Sequence, residues 1–206
     1  MIAFRIMTTK SNITVGVLAL QGAFREHRQA FERLGAKTVE VRLPKDLKKI
    51  DALAMPGGES TTIGKLLVEW ELLEPIKKLG LAGLPIMGTC AGAIILSKSI
   101  MERGKAMEQP RLNLLDAEVV RNAYGRQVDS FEALIDLTAL GLSEPFNGVF
   151  IRAPIFGRTG EAVEVTAALE GKKVFVRQAN LWALAFHPEL SGDDRVHEKF
   201  LQTIKK

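Results

Sequence analysis

The chain holds 206 residues, 47% hydrophobic and 25% charged, with a formal net charge of +4. That length and balance suit one soluble domain with a substantial core, and they exclude collagen-like, low-complexity and strongly charged disordered chains. Basic residues alternate with nearly as many acids and aromatics reach only 6%, so the charge reads as a mixed solvated surface and not as a nucleic-acid face.

Residues 1–12, MIAFRIMTTKSN, carry an apolar run too short for a secretory segment and read as a poorly ordered or edge extension, with Met7 as an alternative start. A single domain is expected over 13–206. No later apolar stretch reaches the length of a membrane span, and one cysteine builds neither an internal disulfide nor a thiolate metal site. A cytoplasmic setting follows.

ITVGVLAL (13–20) is a continuous β-rich run, and AFREHRQAFERLG then places Phe24, Arg28, Phe31 and Leu34 at helical spacing before the stop at Gly35. TVEVRL (38–43) alternates as a strand and ALAMP (52–56) is a short buried run. TTIGKLLVEWELLEPIKKLG reads as a helix broken near Pro75, and PIMGT leads into a helix over AGAIILSKS. Such alternation predicts βαβ units, hence an α/β fold of three layers: a mainly parallel central sheet with helices on both faces. Past residue 110 the segments DAEVVRNA, EALIDLT, GVFIRAP, AVEVTAAL, KKVFVRQ and LWALAFH are closely spaced and strand-like, which predicts antiparallel additions and a hairpin at Ala179-Asn180. A last helix, DDRVHEKFLQTIKK, takes Asp193 or Asp194 as its cap.

The lone cysteine sits in Gly88-Thr89-Cys90-Ala91-Gly92, the thiol form of the G-x-S-x-G elbow, between a strand and a helix as that motif demands. The chain folds sharply on itself there, so the positions two before and two after must be small. At a helix N-terminus the free N–H groups favour a thiolate, and the Ala91 N–H can face an oxyanion. A buried structural cysteine is the plainer alternative; the flanking glycines weigh against it.

A nucleophile needs a base. His27 and His197 lie within helix patterns and read as surface or packing residues. His187 instead ends an apolar strand and opens HPEL, where an extended path would put residues i and i+2 on one side and let Glu189 orient the imidazole. By itself HPE is a common strand ending. Together, an elbow on the fourth strand and His-x-Glu after a late strand can meet at the carboxyl edge of the sheet. In MPGGESTT (55–62), Gly57-Gly58 lets backbone approach a ligand and supply a second oxyanion donor, while Ser60 or Thr61 can cap the next helix; a plain turn is the alternative.

With these pieces in hand, the sequence resembles the class I, triad-type glutamine amidotransferases. LALQGAFREH, MPGGESTT, GTCAGAI, RNAYGRQVDSFE, FIRAP and AFHPEL, in that order from Ile13 onward, narrow the likeness to the glutaminase subunits of pyridoxal 5'-phosphate synthase. The resemblance implies Cys90 as nucleophile, with His187 and Glu189 completing the triad. It implies a glutamine site lined by Gly57, Gly58, Glu59, Arg121, Ile151 and Arg152, with oxyanion donors at Gly58 and Ala91, and neither a metal nor an organic cofactor. It also implies a partner, a (β/α)8-barrel synthase subunit that receives the ammonia; the Gln21-Gly22 turn and the first helix are the candidates for the docking side. Three alternatives remain open: a γ-glutamyl hydrolase, an amidotransferase subunit of another synthase, and a non-catalytic module that keeps the shape. A DJ-1-like thiol protein fits less well, since there a histidine commonly follows the cysteine and here Ala91 does.

Overall fold

The computed structural model describes residues 12–124 and 130–205. The predicted N-terminal extension up to Ser11, and residues 125–129 of the RNAYGRQVDSFE segment, lie outside the described residues.

The first half is built as its hydrophobic pattern demands. Strand β1 (Thr14–Leu18) pairs in parallel with β2 (Lys37–Val41) on one side and with β3 (Ala52–Met55) on the other. Strand β4 (Ile86–Thr89) follows β3 in parallel. Helix α1 (Phe24–Arg33) crosses from β1 to β2, whereas α2 (Ser60–Glu69) and α3 (Leu73–Leu81) cross from β3 to β4. The two crossovers run in opposite directions along the sheet, so right-handed connection puts α1 on one face and α2 with α3 on the other. Helix α4 (Ala91–Leu96) packs beside α2. Helix α5 (Arg195–Gln202) packs beside α1.

The second half adds β5 (Ser97–Glu102), β6 (Lys105–Ala106), β7 (Leu115–Val120), β10 (Ile155–Thr159), β11 (Glu164–Leu169), β12 (Lys172–Gln178) and β13 (Leu181–Leu184), while β8 (Ser130–Ile135) and β9 (Phe146–Ile151) form a separate antiparallel hairpin. The main sheet runs β2-β1-β3-β4-β13-β12-β10-β7-β5-β6, with β11 paired to β12. β2, β1, β3, β4 and β13 form its parallel block; the β13–β12, β12–β10 and β10–β7 pairings are antiparallel. A continuous buried cluster extends from Val15 to Phe200 through both halves. Among the described residues no helix is long and apolar enough to cross a membrane.

Several local expectations are corrected. The buried face of α1 is His27, Ala30 and Phe31, not a stripe through Arg28, which turns outward to pair with Glu40 at 2.6 Å and Glu32 at 3.2 Å. The long helix breaks at Trp70–Leu72, where Glu71 takes φ 54°; Pro75 lies in the first turn of α3, where no intrahelical N–H is needed. Helix α4 stops at Leu96, because Ser97 is extended and starts β5 instead of continuing the helix. Ser60 and Thr61 do not cap α2: Glu59 occupies that position, and both hydroxyls bond Gln109 Oε1. At α5 the two aspartates divide the work. Asp193 Oδ1 accepts the Arg195 N–H, and Asp194 takes a bidentate pair with Arg33 that ties α5 to α1. The Ala179-Asn180 hairpin stands, with Gln178 opposite Leu181.

Candidate active site

Sheet register assembles the site. Met55 lies opposite Gly88 and Thr89 opposite Leu184, so the ends of β3, β4 and β13 reach the same edge together. One to three residues beyond those ends come Gly57-Gly58, Cys90 and His187. Cys90 N–H donates to Leu184 O at 2.8 Å, and His187 N–H donates to Val149 O at 2.8 Å, which fixes both backbones against neighbouring strands.

Cys90 has φ 47° and ψ −101°, a left-handed conformation that costs a non-glycine residue about 1–3 kcal/mol and persists only where the surroundings enforce it. The glycines provide that enforcement. A Cβ on Gly88 would stand 2.6 Å from the Gly92 carbonyl carbon, and one on Gly92 would stand 2.1 Å from Met55 O. Helix α4 spans only six residues, so the local N–H groups behind Cys90 matter more than any long dipole. The sulfur is largely covered and lies 3.8 Å from Ile151 O.

His187 lines the same cleft as Cys90, and its Nδ1 lies 2.7 Å from Glu189 Oε1. The contact is as expected but its geometry is not: Pro188–Leu190 make one turn of 3-10 helix, and that turn, not an extended strand, brings Glu189 back. Burial pulls the imidazole pKa down, yet the hydrogen bonds and charges of Cys90 and Glu189 outweigh it and raise it to about 10. For Glu189, burial pushes the carboxyl up, and the His27 and His187 imidazoles beside it hold it below the usual carboxylate range. The ring's far side rests on Gly57, where a Cβ would stand 2.2 Å from His187 Cε1.

Around this pair opens a cleft of about 360 Å³. Gly57, Gly58, Glu59, Arg121, Ile151 and Arg152 all line it, together with Cys90 and His187. Ala91 follows Cys90 at the start of α4 and is buried. Arg121 stands just past β7, its N–H bonded to Met101 O, and Arg152 just past β9 with φ 45°. Gln21 and Gly22 reach the rim: Gln21 Oε1 accepts the Glu59 N–H at 2.7 Å, and Ala23 N–H donates to Gly57 O. The Gln21-Gly22 turn thus grips the glycine loop directly.

Residues 17–206 match the SNO glutamine amidotransferase family. The chain belongs to that family. Among curated amidotransferase relatives, "Pyridoxal 5'-phosphate synthase subunit PdxT" of Pelotomaculum thermopropionicum is 56% identical over 188 residues, 91% of this chain and 93% of that protein. The protein of the same description from Herpetosiphon aurantiacus is 56% identical over 190 residues, 92% of this chain and 99% of its own. A solved structure described as a glutamine amidotransferase superposes with a TM-score of 0.84 at 52% identity, covering 91% of this chain and 97% of that one. The resemblance drawn from the motifs and the three-layer α/β fold expected from the strand and helix rhythm therefore both stand.

Sequence reading passed over two groups that touch this site, His27 and Thr89. His27 Nε2 lies 3.3 Å from Glu189 Oε2 and 3.1 Å from Thr89 Oγ1. His27 was legible as an inward residue, since Ala30 and Phe31 follow it at i+3 and i+4. Thr89 carried no such signal, because it acts through a partner remote in sequence; the Gln21-Gly22 turn was singled out for docking, and its bond to the Glu59 N–H was not foreseen.

Proposed function

We infer that this chain hydrolyses L-glutamine to L-glutamate and ammonia and delivers the ammonia to the synthase subunit of a pyridoxal 5'-phosphate synthase, residues 13–206 acting as one domain in the cytoplasm. The observation that carries the reading is the convergence of Cys90, His187 and Glu189 at one sheet edge beside a small-molecule cleft. Membership of an amidotransferase family and the description of its relatives supply the substrate and the partner.

In this reading glutamine enters with its side-chain amide over Cys90. Glu59 suits the ammonium end of the amino acid, and the Arg121 and Arg152 guanidinium groups suit its carboxylate. Cys90 Sγ attacks the amide carbon as its proton passes to His187, and the carbonyl oxygen becomes an oxyanion facing the N–H groups of Ala91 and Gly58. Each such donor lowers the barrier by about 3 kcal/mol. Collapse breaks the C–N bond as His187 passes its proton to nitrogen, and ammonia leaves. Water then attacks the γ-glutamyl thioester with His187 as base; the C–S bond breaks, the thiol regains a proton, and glutamate departs. Throughout, Glu189 keeps the ring aimed.

Ammonia is useful only if it passes directly to the enzyme that consumes it, and it is otherwise protonated and lost to water. The partner is the barrel-shaped synthase, and it docks on the Gln21-Gly22 side, where contact can reset the glycine loop through Gln21 Oε1 and the Glu59 N–H. Glutamate release with and without the synthase, beside a Cys90→Ala control, tests the reading. Stimulation by the synthase and silence of the variant are expected; full activity of the chain alone, unchanged by the synthase, contradicts the docking idea, and an active Cys90→Ala contradicts the mechanism.

A further inference from the structure

Behind the Cys90, His187 and Glu189 arrangement stands a second row of histidines that the proposed mechanism does not use. His27 on α1 and His197 on α5 are both fully buried, with His27 Nδ1 3.0 Å from His197 Nε2. The His197 ring meets Phe31 edge-on at 4.9 Å, which locks it in place. On its other side His27 Nε2 faces Thr89 Oγ1 at 3.1 Å and Glu189 Oε2 at 3.3 Å. Glu189 Oε2 is buried and makes no hydrogen bond of good geometry, so His27 is the polar group set to offset its charge.

The protons in this row can be assigned by elimination. Burial, helped by the neighbouring His187 and opposed by Glu189, lowers the His27 pKa; burial and the adjacent His27 lower that of His197 to about 3, so both rings are neutral near pH 7. A neutral ring carries one N–H. Were the His27 proton on Nδ1, its bare Nε2 lone pair would face a carboxylate oxygen 3.3 Å away. His197 Nδ1 would then carry a buried N–H, and that atom has no partner. With the proton on His27 Nε2, both conflicts vanish: Nδ1 accepts from His197 Nε2–H, and His197 Nδ1 is left only a lone pair, the cheaper group to bury unpaired.

We propose that His27 is a positioning residue for the glutaminase reaction: its Nε2–H, set by donation from His197 Nε2–H into its Nδ1, bonds Thr89 Oγ1 and faces the second oxygen of Glu189, and so steadies the carboxylate that aims His187 at Cys90. The inference rests on the glutaminase reading and extends it from a triad to an ordered row running from α5 through α1 to the sulfur. Outer partners of metal-bound imidazoles are worth about 10- to 100-fold, and a loss of that order is expected for this carboxylate-held one. The lost interaction acts on the chemical step and not on substrate contacts, so the loss should fall on kcat and leave KM unchanged.

Two measurements test it. In the unmodified chain, nitrogen chemical shifts of the histidine rings report the tautomer without any assay: His27 and His197 both protonated on Nε2 is the expected result, and an Nδ1–H on either overturns the assignment. Kinetics with the synthase present compare His27→Leu, His27→Gln and His27→Asn. Glutamine places an amide N–H near the Nε2 position whereas asparagine reaches only the Nδ1 position, so His27→Gln should stay within about threefold of the unmodified chain while the other two lose about 10- to 100-fold in kcat. A fully active His27→Leu, or a His27→Gln as impaired as His27→Asn, overturns the proposal. If His27→Leu does not fold, the tautomer measurement and the glutamine–asparagine comparison decide. An unmodified chain without glutaminase activity would defeat the functional reading, and the ring tautomers would still be readable.

Discussion

Gly57 is held to glycine by a ring and not by its own backbone angles. A methyl group there would stand 2.2 Å from His187 Cε1, so Gly57→Ala must push the imidazole away from Cys90 or Glu189. Misplacing a reacting group by about 1 Å can cost about 100-fold, and a kcat loss of that order with an almost unchanged melting temperature is the expected outcome. Gly92→Ala differs, because its added carbon meets the Met55 carbonyl oxygen at 2.1 Å and neither backbone can yield. There the loss is in stability, about 3 kcal/mol or more, and a urea midpoint will show it. Gly57→Ala and Gly92→Ala thus separate a chemical defect from a folding defect.

The elements around the site were legible to different degrees for identifiable reasons. Strands β1, β3 and β4 read clearly because they are buried on both faces and appear as unbroken apolar runs. Strand β5 was hidden: Ser97-Lys98-Ser99 continues a helical run in sequence, and only pairing with β7 makes it a strand. Strand β10, IFGRT, went unread as well; it is short, interrupted by Gly157, and joined to β7 through a register shift. His187 and Glu189 were found despite a wrong conformation, since a 3-10 turn and a strand both bring i+2 near i under a proline constraint. The β12–β13 hairpin carries its own prediction. Asn180 Nδ2 donates to Gly80 O at 3.0 Å and to Leu84 O at 2.6 Å, stitching the turn to the end of α3. Asn180→Ala should cost about 1 kcal/mol in denaturant titration, because two part-buried carbonyls lose the amide donor that ties them to the turn. No change would show that water replaces the amide without penalty.

For the whole molecule, the histidines set a pH window. His27 and His197 bind protons more weakly folded than at their ordinary value of 6.5, so as pH falls below that value the unfolded chain takes up protons the folded one refuses, and stability declines. Loss of the depressed Glu189 carboxylate adds to this at lower pH. His187 acts in the opposite sense: its contribution is complete below 6.5 and disappears as pH rises to about 10. Stability measured by denaturant at a series of pH values should therefore peak near neutrality, and His197→Phe should flatten the acid arm. An acid arm of unchanged slope in that variant would remove His197 from the account.

Rapid acid quenching followed by peptide mass spectrometry reads whether glutamine acylates Cys90 during turnover. With glutamine and the synthase present, a γ-glutamyl adduct is expected on the Cys90 peptide, absent from Cys90→Ala and accumulating less in His187→Ala. Glutamate formation with no adduct at any quench time, or an adduct on any residue other than Cys90, would contradict acylation of Cys90.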